Sequence, residues 1–187
     1  MTENLRFSTS LKLQALPPYD FSLTVHKPAG WPLLTPHEIY ENDTLWTTMR
    51  LHTGEMFGLK LKSLGTTEKP TVSCEIFSSR KLTARRKEEL STTISWMLSL
   101  NEDLTEFYKL AQTDTFLNSL MQDLYGMRRT KRPDIFPMLT LAVTLQMAPI
   151  SRSDQMMNLL IQQYGTKAEF DGKEIQYWPT PEVIAKT

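Results

Sequence analysis

The stretch Thr44-Leu45-Trp46-Thr47-Thr48-Met49-Arg50-Leu51-His52-Thr53-Gly54-Glu55-Met56-Phe57-Gly58-Leu59-Lys60-Leu61 decides how the first half of the chain folds. Leu45, Thr47, Met49 and Leu51 alternate with Trp46, Thr48, Arg50 and His52, the period of two that marks a half-buried strand. Gly54-Glu55 breaks the run, and Phe57, Leu59 and Leu61 then alternate with Gly58, Lys60 and Lys62, so the spacing predicts a return strand. After a loop from Gly65 to Pro70, Val72, Cys74 and Ile76 form the buried face of a third run. Upstream, Leu11-Lys12-Leu13 and Phe21 to Val25 read as two shorter strands, broken at Pro17-Pro18 because proline cannot donate to a ladder. Thr35-Pro36-His37-Glu38 has capping-box spacing with proline at the first helical position and predicts a short helix over the sheet. Residues 1–83 are thus expected to form an antiparallel sheet domain.

From Thr83 the period lengthens to that of helices. Leu90, Ile94, Met97 and Leu98 share one face, as do Leu104, Phe107, Tyr108 and Ala111 after a cap at Asn101. A helix opening at Asp114 presents Phe116, Leu117, Leu120, Met121 and Leu124 and stops at Gly126. Another opens at Asp134, tolerates Pro137 in its first turn and ends before Pro149. The next begins at Ser151 or Ser153, carries Met156, Met157, Leu160, Ile161 and Tyr164, and closes at Gly165. Residues 84–187 are expected to be all helical. Thr180-Pro181-Glu182 then opens a further helix five residues before Thr187, which reads either as one docked turn or as a helical domain cut short.

The chain has 187 residues with 21 Lys plus Arg and 21 Asp plus Glu, so its formal net charge is zero and any nucleic-acid contact must come from a local patch. One cysteine, Cys74, excludes an internal disulfide, and three scattered histidines offer no zinc site. The opening MTENLRFSTS lacks a long apolar run, so the expected location is intracellular, in the cytoplasm, with no membrane contact. No Gly-x-Gly pair, nucleophile elbow or metalloprotease spacing occurs, so no metal, cofactor or hydrolase nucleophile is expected. Asp114 and Asp134 read as helix caps rather than as acids for chemistry.

Arg128-Arg129-Thr130-Lys131-Arg132 places four cations in five residues between two helices, where a phosphate backbone or plain solvent would serve them. Arg85-Arg86-Lys87 puts three more in the first turn of a helix, against its dipole, a conflict that an anion or solvent would relieve. Gln146-Met147, at a helix end before Ala148-Pro149, pairs an amide suited to base edges with an apolar side chain suited to wedging between bases; Met147 also fits ordinary packing. Tyr19, Phe21 and Trp31 are ordinary core aromatics by composition.

Taken together, these pieces resemble a known family. Leu16-Pro17-Pro18-Tyr19-Asp20-Phe21 resembles the Pro-Tyr-Asp-aromatic opening of the alkyladenine and oxoguanine DNA glycosylases of the helix-hairpin-helix superfamily, above all their AlkA-like and archaeal members. Arg132-Pro133-Asp134-Ile135-Phe136, continued by Leu141 to Ser151, resembles the start of the helical glycosylase domain, and Tyr164-Gly165 and Trp178-Pro179-Thr180-Pro181-Glu182 follow in the family's order. The resemblance implies an α+β fold, a TATA-binding-protein-like antiparallel sheet followed by a truncated all-helical domain. It implies base excision repair of double-stranded DNA carrying a damaged base. Met147 falls at the wedge position with Gln146 just before it, and Tyr19 and Phe21 contribute to or support the lesion pocket. The family's glycine-rich hairpin and catalytic Asp lie beyond the Trp-Pro-Thr-Pro segment and have no counterpart in this sequence, so the resemblance assigns no catalytic residue here. It implies instead that this polypeptide alone does not turn over and that a C-terminal half in trans would complete it. A non-catalytic DNA-binding module and a protein-interaction module stay open, the latter favoured if the last two helices carry an exposed apolar patch.

Overall fold

The computed structural model describes residues 2–26, 38–146 and 148–186. Its strands are β1 (Thr2–Asn4), β2 (Phe7–Gln14), β3 (Ile39–Glu41), β4 (Thr44–Arg50), β5 (Met56–Ser63), β6 (Thr71–Ser78), β7 (Thr166–Phe170) and β8 (Lys173–Tyr177). Its helices are α1 (Phe21–His26), α2 (Ala84–Met97), α3 (Thr105–Gln112), α4 (Thr115–Asp123), α5 (Phe136–Thr144), α6 (Ile150–Tyr164) and α7 (Pro181–Ile184). Among the described residues no helix is long and apolar enough to cross a membrane.

The expected meander forms the centre of an antiparallel five-stranded sheet with strand order β2-β6-β5-β4-β3. Leu45 lies opposite Leu61, and Leu61 opposite Cys74, which aligns the apolar rows of three strands on one face. That face is covered by α1 and by Leu90, Ile94 and Met97 of α2, in one continuous core. Thr83 caps α2 as its side chain accepts the Arg86 N–H, and Asp114 caps α4 by accepting from Leu117.

The alternation leaves out one thing, because the other face of the sheet is buried too. Met56 and Phe77 project from it against Phe170, Ile175, Tyr177 and Trp178, a second core that lies beneath a smaller sheet. This smaller sheet has the order β1-β7-β8. It corrects the expectation of an all-helical second half. Ala168 and Phe170 alternate with polar residues, Asp171-Gly172 turns the chain with φ of 49° and 70°, and Ile175 and Tyr177 alternate on the return. Two consecutive positive φ values are the geometry of a two-residue hairpin that follows strand twist. β1 then joins β7 in parallel, Thr2 opposite Lys167, tying the start of the chain to its last third.

A second correction concerns Phe21 to Val25, which is helix α1 rather than a strand. The Asp20 carboxylate accepts the Leu23 N–H at 2.8 Å, and the Asp20 carbonyl accepts the Thr24 N–H at 3.1 Å, so a helix cap outweighs the strand propensity of the segment. No cap forms at Asn101: α3 has Leu104 at its N-cap with no side-chain cap bond, and Asp103 just before it accepts the Thr105 N–H at 2.9 Å. Thr35 to His37 of the expected helix, and Trp31, lie outside the described residues.

Candidate nucleic-acid interface

The basic run lies in the connection between α4 and α5, and Gly126 sets its start. With φ of 83°, Gly126 accepts the Asp20 N–H at 2.8 Å through its carbonyl and donates its own N–H to the Tyr108 hydroxyl at 2.9 Å. A Cβ here would come within 2.7 Å of the Asp20 nitrogen, so both the dihedral and the space require glycine. The connection is thereby seated on the Pro17-Pro18-Tyr19-Asp20 segment, and two motifs more than a hundred residues apart meet.

The four cations of the run have different fates. Arg128 is only 3% exposed, with its N–H bonded to the Thr24 hydroxyl at 3.0 Å and its Nη2 donating to the Pro18 carbonyl at 2.7 Å. This corrects the reading of the whole run as a solvated surface, since Arg128 is a buried strut between the connection and the Pro-Pro-Tyr segment. Arg129 is exposed, with its backbone held by the Ser99 hydroxyl, which donates to the Arg129 carbonyl at 2.7 Å. Lys131 lies 4.0 Å from Glu102 and over the Trp96 ring, and its N–H donates to the Met97 carbonyl. Arg132 pairs with Glu38 at 3.0 Å, and Glu38 also accepts the Thr47 hydroxyl. The second cluster is compensated in the same way: Arg85 and Arg86 both pair with Glu89, and Arg86 also pairs with Glu55, so carboxylates relieve the conflict with the helix dipole.

Gln146 stands at the other end of α5, about 14 Å of helix from the basic connection at 1.5 Å per residue. Its side chain is exposed. The turn that carries it is fixed from beneath. The buried Ser153 hydroxyl donates to the Thr144 hydroxyl at 2.7 Å, and the Thr144 hydroxyl donates to the Leu141 carbonyl at 3.1 Å. This pair locks the end of α5 to the start of α6, and neither residue was a sequence candidate because nothing in their spacing marks a mutual bond. Met147 lies outside the described residues.

Tyr19 and Phe21 are buried in the core beneath the five-stranded sheet, at 2% and 4% exposure. Burial pushes the Tyr19 phenol well above its ordinary value. A shallow cleft of about 350 Å³ opens beside this segment, among Asp20, Ser22, Tyr40, Asp43 and Lys62. Arg50, on the opposite side of the sheet, is buried with no ion pair to a carboxylate among the described residues, donating to the Trp178 carbonyl at 2.8 Å and the Thr166 hydroxyl at 2.9 Å with its guanidinium over the Tyr177 ring.

No protein-family model matches the chain. A DNA-3-methyladenine glycosylase of Bacillus subtilis (strain 168) is 29% identical over 108 residues, which are 58% of this chain and 36% of that enzyme. The 3-methyladenine DNA glycosylase of Archaeoglobus fulgidus matches in structure with a TM-score of 0.73 at 18% identity, over 95% of this chain and 58% of that one. The 8-oxoguanine glycosylase/lyase of Clostridium acetobutylicum in its apo form matches with a TM-score of 0.64 at 14% identity, over 98% of this chain and 58% of that one. The same enzyme in complex with double-stranded DNA containing cytosine opposite 8-oxoguanine matches with a TM-score of 0.51 at 16% identity, over 80% of this chain and 56% of that one. This chain therefore shares the fold of these solved DNA glycosylases, and it spans a little more than half of their length.

Proposed function

We propose that this chain is the N-terminal part of a DNA repair glycosylase that recognises double-stranded DNA bearing an alkylated or oxidised base. It flips that base from the stack for cleavage of its N-glycosidic bond. The observation that carries this reading is an exposed amide, Gln146, on a turn locked by the buried Thr144–Ser153 pair, within a glycosylase fold that extends over 95% of the chain. Gln146 addresses base edges, and Met147 beside it fills the vacated stack as an apolar wedge. Arg129 and Lys131 contact the phosphate backbone, with Arg132 held near them by Glu38. Arg128, Tyr19 and Phe21 act from behind, holding the pocket wall in place. The five-stranded sheet belongs to the TATA-binding-protein-like kind, and residues 1–83 and 84–187 form the two domains, with β1 reaching across to the second. Cleavage needs an acid to stabilise an oxocarbenium-like sugar, and we assign no residue of this chain to that role.

The test uses duplexes with 3-methyladenine or 8-oxoguanine beside a 2-aminopurine reporter. The chain should raise reporter fluorescence on lesion duplexes over intact ones, and Met147→Ala and Gln146→Ala should abolish most of the rise. Equal affinity for lesion and intact duplexes, with no fluorescence change, overturns the reading.

A further inference from the structure

The five-stranded sheet ends on one side at β2, whose eight residues Phe7-Ser8-Thr9-Ser10-Leu11-Lys12-Leu13-Gln14 pair in unbroken register with β6 alone. One hydrogen bond shows which of its backbone groups are spare. The Ala15 N–H, next in register, donates to the Pro70 carbonyl, so the odd-numbered residues of this run turn their N–H and C=O groups toward β6. Ser8, Ser10, Lys12 and Gln14 therefore turn theirs away from the sheet. All four are exposed, and their backbones make no bond outside the ladder among the described residues. An open edge is usually blunted by short length, charge, proline or a bulge. β1 and β3 have three residues each, and β8 has five that include Lys173 and Glu174. β2 contains no proline or glycine and carries one charge, Lys12. The helices offer no comparable marker, since apolar side chains are exposed on α3 and α4, as at Leu110 and Phe116, no less than on α5 and α6, as at Val143 and Leu159.

We propose that β2 is the interface between two copies of this chain, joined antiparallel about Leu11 into one continuous sheet. The occupant is a second copy because the strand complements itself in the register that its backbone demands. Outward-turned residues must face one another to exchange bonds, and pairing about Leu11 brings all four together: Ser8 with Gln14 of the second copy, and Ser10 with its Lys12. Each such pair exchanges two main-chain bonds. The same register sets Leu11 opposite Leu11, Thr9 opposite Leu13 and Phe7 opposite Ala15 on the helix-covered face. The apolar row Leu45, Leu61, Cys74, Leu11 then runs on into its own copy, covering Leu11, which is partly buried, and Phe7, which is 48% exposed. On the other face Lys12 lies opposite Ser10 rather than opposite another Lys12, so no like charges meet directly. Nothing in this interface rests on the glycosylase reading.

The test reads both mass and register. The purified chain should scatter light as twice its 21.6 kDa mass at micromolar concentration. Ser10→Cys and Lys12→Cys, both at exposed positions, should form a disulfide-linked dimer on mild oxidation when the two variants are mixed. Either variant alone should form little, because like positions are then diagonal, beyond the ~7 Å between Cα atoms that a disulfide can bridge. Cys74 is buried and takes no part. Ser10→Pro removes an outward N–H that an edge strand can spare, so the chain should stay folded by circular dichroism. Its dimer dissociation constant should rise at least about tenfold, since two symmetry-related bonds are lost. A chain that is monomeric at every concentration reached overturns the proposal, whether or not its β2 then accepts a strand from another protein. So does a dimer in which each cysteine variant cross-links as readily alone as in the mixture, or one that a folded Ser10→Pro variant leaves intact, because the copies then meet through other surfaces such as the exposed apolar helices. If Ser10→Pro does not fold, the cysteine pair decides alone.

Discussion

The ring of Phe170 rests on the bare backbone of Gly58. A Cβ at position 58 would lie 2.6 Å from the ring, well inside contact distance, so β5 and β7 can pack this closely only because residue 58 has no side chain. The hairpin of the second sheet is thus fitted to a gap in the first.

Gly58→Ala should destabilise the protein by about 1–3 kcal/mol through overpacking, read as a lower urea midpoint at unchanged slope. Combining it with Phe170→Leu should cost less than the sum of the two single changes, because the smaller side chain vacates the contested space. Additive costs would mean that the two residues do not press on each other.

Arg50 makes a further link between the sheets, alongside the pairing of Lys60 and Trp46 with Asp171 and of Lys173 with Glu41. Arg50→Ala leaves the Trp178 carbonyl and the Thr166 hydroxyl without their partner, at a cost of about 1–3 kcal/mol for a buried group so stranded. Arg50→Lys should recover little of this, since an ammonium cannot donate to both sites with the planar fork of a guanidinium. Hydrogen exchange of the β7–β8 amides should accelerate in both variants more than exchange of the β5–β6 amides.

Alkaline pH should weaken the fold. Burial pushes the Cys74 thiol up to about 12 and raises the Tyr19 and Tyr177 phenols as well. Below the ordinary thiol value all three groups are protonated in both states. As pH rises above about 9, the unfolded chain releases protons that the native state retains, so stability falls from there through the raised native values. Urea midpoints should be flat near pH 8 and decline above about 9, and Cys74→Ala should move the onset upward toward the tyrosine range. Thiol reagents should label Cys74 only upon unfolding.

Arg128 and Arg129 are adjacent in sequence and should behave oppositely. Arg128→Ala removes the buried bond to Pro18 and should lower stability by about 1–3 kcal/mol while leaving the salt dependence of DNA binding unchanged. Arg129→Ala should leave stability within about 0.5 kcal/mol and reduce the slope of log affinity against log salt by about 1. A reduced slope for Arg128→Ala would place its guanidinium on DNA rather than on Pro18.

The meander from Leu45 to Ile76, the cap at Asp114 and the left-handed turn at Gly126 could be read along the chain, because period, capping and turn chemistry act between residues a few positions apart. The hairpin at Thr166 to Tyr177 was within the same reach, since Asp171-Gly172 between two short alternations is a hairpin signal, and the helical expectation for residues 84–187 passed over it. Phe21 to Val25 looked like strand because aromatic and β-branched residues favour one, and the Asp20 cap decided otherwise.

Gln146 could be singled out from its place at a helix end, whereas the Thr144–Ser153 pair that fixes its turn could not, because side chains nine residues apart meet only when two helices pack. The basic run was one uniform feature in the sequence, four cations whose local chemistry is alike. Tertiary structure divided it, since burial and pairing depend on what the rest of the chain brings near: the Pro18 carbonyl for Arg128, Glu102 for Lys131, and Glu38, 94 residues away, for Arg132. Local periodicity therefore determined the type and order of most elements, while tertiary packing alone decided which faces are covered, which cations reach solvent, and which apolar helices are left open.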